Sequence, residues 1–269
     1  MLNKLDEYNK VLEKTKSIYN ELYENKKLNV TSNFIYKDMI DKLESKIKVI
    51  VYINNDKLNE LDKSIQEKAN SINDDFIEFW KNSIEEDLAQ LKYEKEIDKI
   101  LSRKTIKQRE DTNNVFICKT PVIFSKVGLD MNKDITMRRG KMRFCNTPIE
   151  EGGHSITKEQ LYNIPKLLEE PAIIMKSQTV EKSVLAILND VDVRNMPILV
   201  ALSPDEKGFY NFETIDTNLL LSIYGRKNFE KFIKDNEDRI LMKDDKQLEI
   251  LRDKIEVNKQ KEKTESQVL

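Results

Sequence analysis

His154 is the only histidine in the chain. Imidazole is the side chain that exchanges a proton near neutral pH, so a solitary one is the first place to look for acid–base chemistry. It follows Gly152-Gly153, which let the backbone approach something closely. Ahead of it, Thr157 and Gln160 have the capping-box spacing of a helix start. Free N–H groups at such a start favour an anion. The helix is expected to end near Pro165, because proline has no N–H to give and restricts the residue before it. On position alone, the simpler reading is a surface histidine in a loop. Arg138, Arg139, Lys141 and Arg143 form the densest positive cluster. On a short helix they would spread over more than one face, so a solvated helix and a phosphate-contacting patch are both open. Cys118 and Cys145 lack metal-ligand spacing and read as neutral thiols. One histidine and two separated cysteines cannot build a typical zinc site, and no metal or cofactor is expected.

The elements that must position these residues fall into two halves. Residues 1–112 read as helix almost throughout. Leu5, Tyr8, Leu12, Tyr19 and Leu22 follow a three-four spacing, with Thr15 filling a slot between. Thr31 or Ser32 is a candidate cap for a second stripe: Phe34, Ile35, Met39, Ile40, Leu43, Ile47, Ile50 and Val51. Asn54-Asn55 marks a turn. A third stripe runs from Leu58 through Leu61, Ile65, Ile72, Phe76, Phe79, Ile84 and Leu88 to Leu91. Narrow apolar stripes with charged faces between them predict antiparallel helices or a coiled-coil arm. Trp80 reads as a packing anchor.

Near residue 113 the pattern changes. Val115–Cys118 is β-like. A helix is expected from Thr120-Pro121 through Val122, Phe124 and Val127, closed by Gly128. Ile135–Met137 suggests a short strand. After the His154 segment come strands at Ala172–Met175, Ser183–Leu188 and Pro197–Leu202, the last two a hairpin. Residues 203–212, with Pro204, Asp205 and Gly208, read as a loop. In the next strand, Leu219–Tyr224, strict alternation puts Leu219, Leu221 and Ile223 on one face and Leu220, Ser222 and Tyr224 on the other. Gly225–Asn228 turns into a helix carrying Phe229, Phe232 and Ile233, and Ile240–Met242 suggests an edge strand. Three regions follow: a helical region over 1–112, an α+β domain over 113–246 and a charged helical tail over 247–269 that frays.

Charged residues make up 35 % of the chain and the net charge is −2, so no global basic field announces nucleic acid. Neither half carries an excess of basic residues. No apolar run is long enough to span a bilayer, and the N-terminus does not read as a signal peptide. A cytoplasmic or phage-associated protein is expected.

The segments CKTPVIFSKVGL, ITM, GHSITKEQLYNIPKLLEEPAIIMKS and SIYGRKN, in that order around two apolar strands, resemble the phage MuF C-terminal domain. Its relatives lie among the barnase/EndoU/colicin/RelE-like nucleases of phage-borne and polymorphic toxins. The resemblance spans about residues 113–246. It implies helices packed on a twisted antiparallel sheet and a metal-independent ribonuclease with RNA as its partner. It places His154 at the histidine ahead of the first motif helix, Ser222 and Tyr224 on the S-x-Y strand, and Arg226-Lys227 in the basic turn after it. The helical half lies outside the resemblance. Its role stays open between delivery device, inhibitor, dimerisation arm for a homo-oligomer, and docking surface for a protein partner such as an immunity protein.

Metal-free RNA cleavage needs a base for the 2′-OH proton, an acid for the leaving 5′-oxygen, and cations or N–H donors around the phosphorane-like charge. His154 supplies one proton transfer. Tyr224 or a carboxylate supplies the other, and Ser222 offers a hydrogen bond to a phosphate oxygen. Arg226, Lys227 and Lys176 offer positive charge, joined by Arg138 and Arg139 as candidate RNA contacts. This chemistry demands that His154 and the Ser222/Tyr224 pair line one pocket. Without the resemblance, Ser222 and Tyr224 read as ordinary strand packing. Two other classes remain: a catalytically inactive domain of the same fold acting as a phage or mobile-element binding module, and a nucleotide-modifying toxin such as an ADP-ribosyltransferase.

Overall fold

The computed structural model describes residues 2–55, 57–102, 113–210 and 213–268. The chain divides into two compact units, Met1–Leu91 and Lys92–Leu269. The expected helix over 103–112 lies outside the described residues.

The first unit is built on helices α1 (Leu2–Glu24), α2 (Val30–Asn54), α3 (Lys63–Asn70) and the N-terminal part of α4 (Asp74–Leu101). Tyr19 of α1 bonds Asn33, and Lys16 meets Glu44, so α1 and α2 run antiparallel. Tyr8 bonds Asp74 and Lys14 bonds Glu85, so α4 returns parallel to α1. The result is an up-down-up bundle. Trp80 sits at its centre, edge-on to Tyr36 at 5.3 Å, with its N–H donating to buried Thr15 at 3.0 Å. The expected packing anchor is thus buried with its one polar atom satisfied. Two expectations need correction. Asn29, rather than Thr31 or Ser32, caps α2, its side chain accepting from the Ser32 N–H. The third stripe is broken: a 3₁₀ turn at Leu58–Glu60 and the short α3 precede α4, with Asp62 capping α3 and the Asn73 side chain accepting from the Phe76 N–H at the start of α4. Local capping overrides the long periodicity there, and Phe79 is left 65 % exposed while Ile77 and Trp80 turn inward.

In the second unit, seven strands form one sheet. They are β1 (Asn114–Lys119), β2 (Asp134–Arg138), β3 (Ile173–Lys176), β4 (Val184–Val191), β5 (Pro197–Tyr210), β6 (Glu213–Gly225) and β7 (Ile240–Lys243), in spatial order β1-β2-β6-β5-β4-β3-β7. The sheet is antiparallel except for one parallel pair, β2 with β6. An α+β fold is therefore observed, with a mixed sheet in place of the expected antiparallel one. Helices α5 (Val122–Ser125), α6 (Arg139–Asn146), α7 (Lys158–Glu169), α8 (Phe229–Lys234) and α9 (Asp245–Val268) complete the unit. One core joins the end of α4 to α5, α6, α7 and one side of the sheet, through Tyr93, Ile97, Phe124, Met142, Leu161, Ile174 and Ile223 among others. A second, smaller core lies on alternate strand positions under α8 and α9, around Ile173, Ile187, Leu199, Phe229 and Leu251. The first turns of α9 bury Leu248 and Leu251 there, so the charged tail begins as a packed helix.

Three local departures follow from specific bonds. Helix α7 does not stop near Pro165 but runs on to Glu169. Proline removes the N–H that the Leu161 carbonyl would accept. The Tyr93 hydroxyl takes that place, donating to the Leu161 carbonyl at 2.9 Å inside the core. Residues 203–210 are not a loop; they are the continuation of β5, paired through Tyr210 with Glu213. Pro204 and Asp205 fall in a bulge, where a proline need not give a ladder bond. Gly208 is small because the Asn114 amide lies 2.6 Å from where its Cβ would be. A second bulge occurs in β6: Ala201 faces Ser222 while Leu202 faces Leu220. The extra residue, Leu221, shifts the alternation. Leu220 and Ile223 both enter the first core, and Leu220 leaves the face that Ser222 and Tyr224 share.

Candidate functional site

The loop 147–156 that carries His154 is tied to itself. The Ser155 N–H donates to the Thr147 carbonyl at 2.9 Å, Ile156 N–H to Cys145, and Ile149 N–H to the Ser155 hydroxyl. Gly152 takes φ +85°, and a Cβ on Gly153 would lie 2.1 Å from the Thr147 carbonyl oxygen. The close approach expected of these glycines is therefore to the base of their own loop. Ser155 has φ +53°, a left-handed position for a non-glycine residue. Two residues later the capping box on Thr157 and Gln160 forms in full. Gln160 also donates to the Val191 carbonyl, joining the helix start to the end of β4.

Strand β2 pairs with β6 only as far as Leu220. Beyond that point the Ile223 carbonyl is met by His154 Nδ1 at 2.6 Å. A carbonyl only accepts, so Nδ1 carries the proton and the lone pair of the neutral ring is on Nε2. The imidazole lies edge-to-face with Tyr224, ring centroids 5.6 Å apart, and with Phe144 on another side at 4.9 Å. Burial raises the Tyr224 phenol above its ordinary value, and the nearby Arg226 charge opposes that only in part. The phenol thus holds its proton and is a donor. His154 and Tyr224, seventy positions apart in sequence, do come together. Ser222 shares the Tyr224 face, opposite Ala201, and its hydroxyl has no hydrogen bond with a described residue.

Arg226 follows on the same strand end. Its guanidinium lies over the Phe232 ring at 4.0 Å, its backbone N–H donates to the Pro197 carbonyl, and its Nε is buried without a partner. Between Tyr224 and Arg226, Gly225 leaves room for the fully buried Asp192 carboxylate, which lies 2.0 Å from where a Cβ would be. Asp192 accepts from the Arg194 and Met196 N–H groups and from the Arg194 guanidinium. Two grooves flank the Arg226-Lys227 turn. One, of about 930 Å³, runs between Asn195–Pro197, the turn and α9; the other, of about 400 Å³, reaches Gln178 and Asn236. Arg226, Lys227, Asn228 and Lys231 line both. Neither lining includes His154, Ser222 or Tyr224, so the histidine and tyrosine meet in ring contact rather than inside either groove.

The other candidates separate. Lys176 ends β3 in the row of Val184, Leu202 and Leu220. It is three strands from β6, roughly 14 Å at the usual strand spacing, and four residues up the sheet from Tyr224. The structure does not bring it to Arg226. Arg139 points inward to Glu96 in an ion pair of low exposure, and Arg143 donates to the Ile100 carbonyl. Arg138 is exposed at the end of β2. Sequence reading singled out neither Phe144 nor Arg194. The Phe144 signal was available as an aromatic among four basic residues in a short stretch. Cys145 is buried, which pushes its thiol up to about 11, and Cys118 is raised further for the same reason. Both are free thiols, as expected.

Among the described residues no helix is long and apolar enough to cross a membrane. No curated protein and no solved structure matches the chain. A family model described as the phage MuF-C-terminal domain matches residues 146–250. The match takes in His154, Ser222, Tyr224 and the Arg226-Lys227 turn, and it is to this phage domain that the greater part of the sheet is similar.

Proposed function

We propose that the C-terminal unit is a metal-independent endoribonuclease, carried by a phage- or mobile-element-associated protein of toxin type. The observation that carries this reading is the His154 Nδ1 bond to the Ile223 carbonyl, with the Tyr224 ring alongside. It presents Nε2 as a base, with the ring that carries a protonated phenol alongside at 5.6 Å between centroids. In the proposed step, Nε2 takes the 2′-OH proton and the 2′-oxygen attacks phosphorus. The 5′-oxygen leaves with the Tyr224 proton, giving a 2′,3′-cyclic phosphate and a 5′-hydroxyl. Arg226 and Lys227 balance the charge that gathers on the phosphate oxygens, and the Ser222 hydroxyl adds a donor. Stacking on Phe232 holds the Arg226 fork in place and leaves its outer N–H groups for phosphate.

A second reading is supported by the grooves: their basic lining does not reach His154, so the domain would bind a polyanionic partner without cleaving it. Incubation of the protein with single-stranded RNA in the presence of a chelator separates the two. The nuclease yields cyclic-phosphate ends and loses them in His154→Ala. The binding module retains the RNA intact.

A further inference from the structure

Helix α6 has two sides. Met142 and Cys145 are buried in the first core, and Arg139 and Arg143 reach back to α4. On the other side Lys141 and Phe144 stand three residues apart, both exposed, and exposed Arg138 precedes the first helical residue as the extended N-cap. Residues three apart on a helix are neighbours, so Lys141 and Phe144 share one strip of the surface. Phe144 is 41 % exposed although the residue after it is fully buried. Its ring meets His154 edge-to-face, and Lys141 Nζ lies 5.7 Å from its centroid. Neither Arg138 nor Lys141 has a carboxylate partner among the described residues.

A single exposed ring between an imidazole and the Lys141 cation, with Arg138 at the start of the same helix, is too small and too charged for an apolar protein contact. Its chemistry is that of single-stranded nucleic-acid binding, where a base stacks on the ring and the cations take the phosphates beside it. We propose that Phe144 is a nucleobase-stacking platform next to His154, with Lys141 and Arg138 holding the flanking phosphates. The proposal rests on the nuclease reading for what happens at His154, but the stacking itself does not need cleavage.

The test uses the full chain and an oligoadenylate with 2′-O-methyl sugars, which has no free 2′-OH to attack. A Phe144→Trp variant places an indole on the strip; wild type, whose Trp80 is buried, is the control. Titration quenches the Phe144→Trp emission and leaves wild type unchanged, and an abasic oligomer of equal length gives no quenching. Phe144→Ala weakens oligoadenylate binding roughly tenfold to a hundredfold and leaves the abasic oligomer unaffected. Absence of quenching in Phe144→Trp, or equal binding by Phe144→Ala and wild type, overturns the proposal. RNA cleavage by wild type with no quenching sinks the stacking platform alone; quenching without cleavage sinks the nuclease alone.

Discussion

At His154 the Nδ1 proton is committed to the Ile223 carbonyl, which leaves Nε2 as the ring atom able to take a proton. His154→Ala is expected to lower RNA cleavage by about 10²–10⁴-fold, the usual worth of a positioned base, read from initial rates. Tyr224→Phe keeps the ring contact and removes the proton, so its loss falls on turnover and not on RNA affinity. A separate steric prediction concerns Gly225. An added methyl would overlap the Asp192 carboxylate, which is buried and held by four hydrogen bonds. Gly225→Ala is therefore expected to cost about 1–3 kcal/mol, measured by urea unfolding. These roles were only partly legible in the sequence. The solitary histidine, its paired glycines and its capping box could be read from residue types alone. The partner of Nδ1 could not, because it is a backbone carbonyl and any residue at 223 would offer one. Ser222 and Tyr224 were candidates through the resemblance alone, and the contact between His154 and Tyr224 lies beyond the point where β2 stops pairing with β6.

Among the elements, α7 and β5 show where local rules yield to tertiary bonds. Pro165 is a helix breaker unless something satisfies the carbonyl it orphans, and Tyr93 does so. Tyr93→Phe should cost about 1–3 kcal/mol by leaving the Leu161 carbonyl unpaired. With Pro165→Ala the backbone N–H returns, so the same substitution should cost clearly less. Equal costs in the two backgrounds, from a double-mutant cycle by denaturant unfolding, would contradict this account. The bulge at Pro204-Asp205 has a similar origin. Proline, aspartate and glycine signal a loop in sequence, yet each fits a strand that bends away and packs a glycine against Asn114. Helices α1 and α2, the strand positions and the edge strand β7 were legible because their apolar period persists for several residues, whereas the breaks around α3 were not, because they are set by local caps at Asp62 and Asn73. Bulges were not, because one inserted residue leaves composition untouched.

On the scale of the whole molecule the two units can be probed by different signals. Trp80 reports on the helical unit. There, burial and the bond to Asp74 push the Tyr8 phenol up to about 12, and Tyr36 beside Asp87 is raised further. Both are acids whose folded value exceeds the ordinary 10.0. Below that value both states keep the proton and stability is full; above it the unfolded chain ionises first. Stability of the bundle should fall as pH rises from about 10 to about 12, and Tyr8→Phe should flatten the fall, followed by Trp80 fluorescence in urea. With a net charge of −2, the proposed RNA binding would rest on local cations and not on the overall field. Removing one phosphate contact with Lys227→Ala should reduce the salt slope of RNA binding by about 0.7. The most direct measurement remains the fate of single-stranded RNA mixed with the purified chain in excess chelator, wild type beside His154→Ala. The account predicts 2′,3′-cyclic phosphate and 5′-hydroxyl ends from wild type and their near disappearance in the variant. Intact RNA in both, or equal cleavage in both, would contradict it.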